Sequence, residues 1–353
     1  MRNARQRTKT REQSQLGLLI SISASLLFAA LLLCGCEEEM QDSNGKPTLQ
    51  KLEDAKDVND MRPVALQIVQ NGLIADNAII RSNAIEIVVE TRQTRLIPRV
   101  QRLLKDEVVP VRFAAVLALG DLEYTFGLAS VEQMLRDRDP NVRIAASFAV
   151  ARLGRHEYAE VLHKAISSSD QTVRANAALL LGKLGDRSVL KDLYWVLTDK
   201  KSDDKVAFQA TESIARLQDE RIYPKLWTML ISAYADVRVM GVLSMGLLGT
   251  KDAKDALVGM LDDEVLEVRL AAAGELGKLG DNVGEPEVLA VLKEDVLGQL
   301  GRGERERVAM LTALAIGQIR TPALTSYLPE LLQDESQLVR IAAARAVLQS
   351  DAR

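Results

Sequence analysis

The sequence predicts an all-α superhelix, a solenoid of about nine stacked helical hairpins. Three observations predict it: an aliphatic-Arg pair that recurs at a nearly fixed interval, small residues at fixed distances after it, and apolar residues spaced three and four apart in the second half of each interval. The pair occurs as Ile80-Arg81, Val111-Arg112, Val142-Arg143, Val173-Arg174, Val237-Arg238, Val268-Arg269 and Val339-Arg340, with weaker copies at Val206-Ala207 and Glu306-Arg307. Successive second positions lie 31, 31, 31, 33, 31, 31, 38 and 33 residues apart. A period of this length marks an array in which one hairpin cannot bury its apolar face alone and stacking buries a continuous core.

Three residues after the Arg stand Ala84, Ala115, Ala146, Ala177, Ala210, Gly241 and Ala272. Eight residues after it stand Gly120, Ala151, Gly182, Ala215, Gly246, Gly277 and Ala315. Such positions suit the close approach of two helices. In the second half of each unit, triplets such as Leu193/Val196/Leu197, Leu226/Met229/Leu230 and Leu257/Met260/Leu261 form one helical face. Between the halves, Leu184-Gly185, Leu248-Gly249 and Leu279-Gly280 read as helix stops. Asp139 before Pro140, Asp170 and Asp236 read as N-caps of the first helix. A weaker hairpin is expected at 49–72, and the last unit has a first helix but no room for a second.

The composition agrees with closely packed helices. Of 353 residues, 47% are hydrophobic and only 4% aromatic, which argues against disorder. Cys34 and Cys36 are the two cysteines, so the rest of the chain has no internal disulfide, Cys nucleophile or Cys-ligated zinc. His156 and His163 are the two histidines.

The N-terminus reads as an export signal: Arg2, Arg5, Arg7, Lys9 and Arg11, then an apolar stretch from Leu16 to Leu33. Leu33-Cys34-Gly35-Cys36 resembles the bacterial lipobox, and only Cys36 fits its lipidated position. The resemblance implies a signal peptide over 1–35, a diacylglycerol on the Cys36 thiol, further acylation of the new amine, and a lipid-anchored protein of the bacterial cell envelope. Glu37 in place of Asp favours the outer over the inner membrane. Residues 36–48 form an acidic flexible tether and 49–353 the solenoid. Five basic residues and Glu12 precede Cys36, which leaves 40 basic and 48 acidic residues and a net charge of −8. A body of that charge lacks the basic stripe that phosphate backbones require, so no nucleic-acid partner is expected.

The pattern D-x-x-V-R-x-x-A-A-x-x-L-G-x-L-G, clearest at Asp139–Gly154, Asp170–Gly185 and Val237–Gly249, resembles the short HEAT repeat of the phycobilisome-lyase group over about residues 76–353. The resemblance implies a right-handed superhelix with one helix row outside and one inside. The recurring Arg is expected to serve the stack by pairing with acids or carbonyls of neighbouring units.

Function in a solenoid sits on surface positions that the stack does not use. Twenty residues after the Arg, the second helix reads Gln101, Glu132, His163, Tyr194, Trp227, Val258, Leu289 and Tyr327. At about 100° per residue this row flanks the core stripe, and Trp195 lies nearly opposite it. The partner-binding candidates are therefore Tyr194, Trp195, Trp227, His163, Val258 and Leu289, expected along the curved inner surface to hold a protein or peptide. The longest interval contains Gly298–Arg307, read as an inserted loop. His156-Glu157 resembles one iron-binding His-Glu pair of the deoxyhypusine hydroxylase family. There is no second pair, and about 10 Å separates His156 from His163 on one helix, too far for one ion. The expectation is a monomeric scaffold without catalytic residues, metal or cofactor. The alternative is a HEAT-type enzyme or accessory factor, bilin lyase-like or deoxyhypusine hydroxylase-like.

Overall fold

A computed structural model describes residues 57–294 and 296–349, and every regular element among them is helical. Helix α1 (Val58–Gly72) leads. Hairpins follow: α2 (Ala78–Glu90) with α3 (Ile97–Arg102), α4 (Val109–Asp121) with α5 (Leu128–Met134), and α6 (Pro140–Arg152) with α7 (Ala159–Ala165). Next come α8 (Gln171–Leu184) with α9 (Leu190–Thr198), α10 (Asp204–Arg216) with α11 (Tyr223–Leu230), and α12 (Ala235–Leu248) with α13 (Lys251–Gly259). The chain continues through α14 (Leu266–Lys278) with α15 (Glu285–Lys293), the short α16 (Val296–Gln299), and α17 (Arg302–Ile319) with α18 (Pro322–Thr325) and α19 (Leu328–Leu331). It ends on α20 (Gln337–Leu348).

The expected punctuation is present. Asp139 accepts from the Asn141 N–H with Pro140 at the first helical position, and Asp170 accepts from Thr172 and Val173. Asp236 is a correction, because α12 starts at Ala235 with Tyr234 as its N-cap and Asp236 lies inside the first turn. Each first helix from α2 to α17 is followed by a left-handed residue: Arg92, Glu123, Gly154, Gly185, Gln218, Gly249, Gly280 and Arg320. Glycine takes this conformation without strain, so the four non-glycine residues show that stacking holds the turn.

The recurring arginines tie unit to unit. Arg112 Nε and Nη2 donate to the Asp137 carboxylate at 2.9 and 3.0 Å, while Nη1 reaches the carbonyls of Asp106 and Glu107. Arg81 pairs with Asp106, Arg174 with Asp199 and Arg238 with Asp263, in each case 25 residues on. The same aspartates accept from the backbone N–H two residues beyond them, so one carboxylate anchors the arginine and shapes the next turn. Arg143 keeps the carbonyl bonds, but Ser168 stands where the acid is elsewhere.

The eighth unit departs from the expected frame. Gly317, rather than Ala315, makes the close approach: a Cβ there would lie 2.7 Å from Ala346 Cα, as one on Gly120 would lie 2.8 Å from Ala149 Cα. The surplus residues are also not a loop. From Arg302 onward they extend α17 to 18 residues against 13 in α4 or α14, and Arg305 reaches Asp334 at 2.7 Å in place of the recurring arginine.

The solenoid closes on itself. The first helices pack successively against one another, and α20 packs in turn against both α1 and α2. Helix α1 covers the described part of the hairpin expected at 49–72, whose residues 49–56 lie outside the described residues, and it packs on α20. The fit is close: a Cβ on Gly72 would sit 2.7 Å from Ile341 Cδ1 and 3.0 Å from Ala84 Cβ. Arg345 of α20 pairs with Glu90 of α2 at 2.5 Å across 255 residues of chain. Among the described residues, nine first helices thus form an inner row and the second helices an outer one, around one connected hydrophobic core.

Candidate functional site

The second helices turn their apolar stripe inward against the first helices, so their flanks meet neighbouring units and their backs face solvent. The candidate row follows from this geometry. Gln101 Nε2 donates to Ser130 Oγ at 2.7 Å, Arg155 of the next unit holds Glu132 at 2.9 Å, and His163 Nδ1 lies 3.0 Å from the Asp192 carboxylate. Further along, the Arg221 guanidinium lies 5.1 Å from the centre of the half-buried Tyr194 ring, and Leu289 packs on the core. Trp227 stacks on Tyr223 with ring centres 6.4 Å apart. The row is an inter-unit seam with an outer edge. Its expected place on the curved inner surface is corrected, because the inner surface is made by the other row of helices.

Trp195 and Trp227 remain 47% and 46% exposed on the adjacent outer helices α9 and α11. Ile231, Tyr234 and Val258 are exposed in the same three consecutive units. The Trp195 ring is held from one side by the Arg174 guanidinium, 5.0 Å from its centre, and Arg174 is itself held by Asp199. That hydrogen bond and the backbone N–H of Lys201 keep the Asp199 carboxyl below its usual range. The indole is thereby fixed while its other face stays in water. His156 is exposed in a turn of 3-10 helix outside α7, and among the described residues no group of three or more His, Cys, Asp or Glu is placed to hold a metal ion.

The inner row lines a half-open cavity of about 340 Å³ that sequence reasoning did not find. Its wall is built by residues of α2, α8, α10, α12, α14, α17 and α20, so it lies among the inner helices. The signal was available nine residues after the recurring Arg. That position reads Glu90, Asp121, Arg152, Lys183, Arg216, Leu247 and Lys278, and in the corrected frame Gln318 and Gln349. Polar residues at the end of an otherwise apolar buried face show that the face meets something other than core. Lys183 reaches Asp121, two units away, at 2.9 Å, which reflects how tightly the row curves. Burial raises the Glu275 carboxyl above its usual range, against the pull of Lys278 at 3.2 Å. Burial also works against the charge of Arg345, but Glu90 and Glu86 outweigh it and raise its pKa.

Hairpins of this length, stacked through an Arg-Asp ladder, define an α-solenoid. The chain belongs to the HEAT-repeat proteins: HEAT-repeat profiles match residues 127–215, 160–238 and 223–299, and a further HEAT-repeat profile matches 96–124. A comparison with curated proteins gives no match. Among solved structures, human deoxyhypusine hydroxylase in complex with glycerol is similar at 19% identity and TM-score 0.36, over 76% of this chain and 99% of that one. The complex of CpcE and CpcF of phycocyanin lyase from Nostoc sp. PCC7120 is similar at 17% identity and TM-score 0.38, over 71% and 94% of the two chains. Kap121p is similar at 14% identity and TM-score 0.32, over 82% of this chain and 37% of its own. Residues 1–56, with the lipobox-like segment and Cys36, lie outside the described residues. Among the described residues no helix is long and apolar enough to cross a membrane.

Proposed function

We propose that this chain is a non-enzymatic binding scaffold, tethered to a bacterial envelope membrane through lipidated Cys36, that holds a protein or peptide on the outer face of its fourth to sixth units. The observation that carries this reading is the pair of half-exposed indoles on adjacent outer helices. Tryptophan combines a large apolar surface with one donor, and a ring already immobilised by Arg174 loses little freedom on binding. Parallel outer helices with exposed aromatics suit an extended peptide or another protein's helix. Two or more acyl chains on Cys36 would make the anchorage stable, the tether over 36–48 would keep the ring near the bilayer, and Glu37 favours the outer membrane. The scaffold acts as a monomer in this reading.

The test is a crosslinking pull-down from membranes with the native chain and the Trp195→Ala/Trp227→Ala double variant, with folding compared by circular dichroism. A protein captured by the native chain and lost by the equally folded variant supports the proposal. Capture of the same set by both overturns it. The anchor is tested separately: labelled palmitate enters the native chain and not Cys36→Ser, and equal labelling of both removes the tether from the scheme.

A further inference from the structure

The central cavity is independent of the outer face, and it holds buried charged groups whose hydrogen bonds are incomplete. Two of its three carboxylates are hydrogen-bonded, Glu90 to Arg345 and to Gln349 Nε2 at 3.3 Å and Glu275 to Lys278, while Glu86 faces Arg345 Nη1 at 4.0 Å and its Oε2 accepts no hydrogen bond. Its donors are not all used. Arg345 is only 6% exposed, yet its Nε and Nη1 donate no hydrogen bond, and neither does Nε of Arg216. Buried N–H groups on a fixed cation are ordinarily matched by acceptors. Five basic and three acidic side chains line the space, and Lys183 and Arg216 are also paired with Asp121 and Glu212 beyond it.

The remainder of the wall is apolar. Leu243 and Leu247 of α12 and Leu311 and Leu314 of α17 line the cavity, with Gly274 and Ala315 between them. Leu247 is the one apolar residue at the position that is polar in every other unit. A site that combines buried guanidinium N–H groups lacking acceptors with leucine side chains suits an amphipathic anion.

We propose that the central cavity binds a small organic carboxylate, its headgroup accepting hydrogen bonds from Arg345 and Arg216 and its apolar body lying on Leu243, Leu247, Leu311 and Leu314. The cavity volume suits a compact molecule rather than a lipid chain or a peptide. Such a ligand would join units one, five and nine to units six and eight, and so brace the ring where its two ends meet.

Isothermal titration of the full-length chain in a non-ionic detergent, with hexanoate and 4-phenylbutyrate as probes and 4-phenylbutylamine as the charge-reversed control, tests this directly. The carboxylates are expected to bind and the amine not. Arg345→Gln and Arg216→Gln should each weaken carboxylate binding at least tenfold. Because Arg345 also joins the two ends of the ring, Leu247→Trp provides a second test: it fills the cavity, leaves every charge in place, and should abolish binding in a chain whose melting is unchanged. Absence of carboxylate binding, equal binding of the amine, or a Leu247→Trp chain that binds as the native one does would each overturn the proposal.

Discussion

The inner and outer helix rows share one repeat, yet they differ in what a residue is free to be. In the inner row, positions three and eight after the recurring Arg are small because a neighbouring backbone leaves no room, as at Gly120 against Ala149 Cα. In the outer row, the position twenty residues after the Arg is Gln, Glu, His, Tyr, Trp, Val or Leu in turn, because it needs only to close a seam whose edge is wet. The difference teaches where function has space to vary. The inner row fixes the architecture, and the outer row has the freedom that the proposed binding face requires. The inner row's last turn is the exception, since there the helices end on a central cavity.

The sharpest contrast is in stability. Arg112→Ala removes one partner from a buried pair whose side chains are 5% and 9% exposed, leaving Asp137 without its cation, and should cost about 3–5 kcal/mol in denaturant unfolding. Burial alone would raise the Asp137 carboxyl, yet its bonds from Arg112 and the Asp139 N–H pull it below the usual range. Its contribution is therefore present above the unfolded carboxylate pKa and is lost as pH falls through the lower folded value. The penalty of Arg112→Ala should accordingly shrink under acid conditions. Gly120→Leu comes next: with the added Cβ 2.8 Å from a backbone atom, overpacking should cost about 1–3 kcal/mol or more, read as a lowered urea midpoint at unchanged slope.

Glu275→Gln should act in the opposite direction. Burial raises this carboxyl, so its favourable contribution is fully present below the unfolded pKa and is lost as pH rises through the folded one. The amide variant should melt a few degrees higher than the native chain at neutral pH, and the gain should vanish near pH ~4, where the unfolded carboxyl is itself half protonated. An equal gain at both values would show that repacking, not charge, is responsible. The smallest effect belongs to the outer row. Trp227→Ala, at a residue nearly half exposed, should change stability by less than about 1 kcal/mol while the partner is lost. A loss as large as that of Arg112→Ala would erase the distinction between the rows.

Much of this was legible in the sequence, and what was missed shares a physical cause. The period, the hairpins, the stacking role of the arginines and the close approach at Gly120 and Gly182 all follow from spacings within one or two units. The frame of the eighth unit did not, because Arg307 offered a closer match to the pattern than Arg305, two residues earlier, which does the pairing. The face of the Trp195 and Trp227 row was also hidden, since which row lies inside depends on a small rotation per unit that no single unit encodes. Closure is the furthest from local spacing. The cavity was missed with it, because only a closed inner row brings Glu90 and Arg345 together.

The most direct test of the ring is a double-mutant cycle between those two residues, with Glu90→Gln, Arg345→Gln and the double variant compared by urea unfolding. Closure predicts that the losses are strongly non-additive, with a coupling of about 1 kcal/mol or more, because each single change strands the other's charge at the seam. An open superhelix holds these residues at opposite ends of the array, and additive losses would contradict the closed ring.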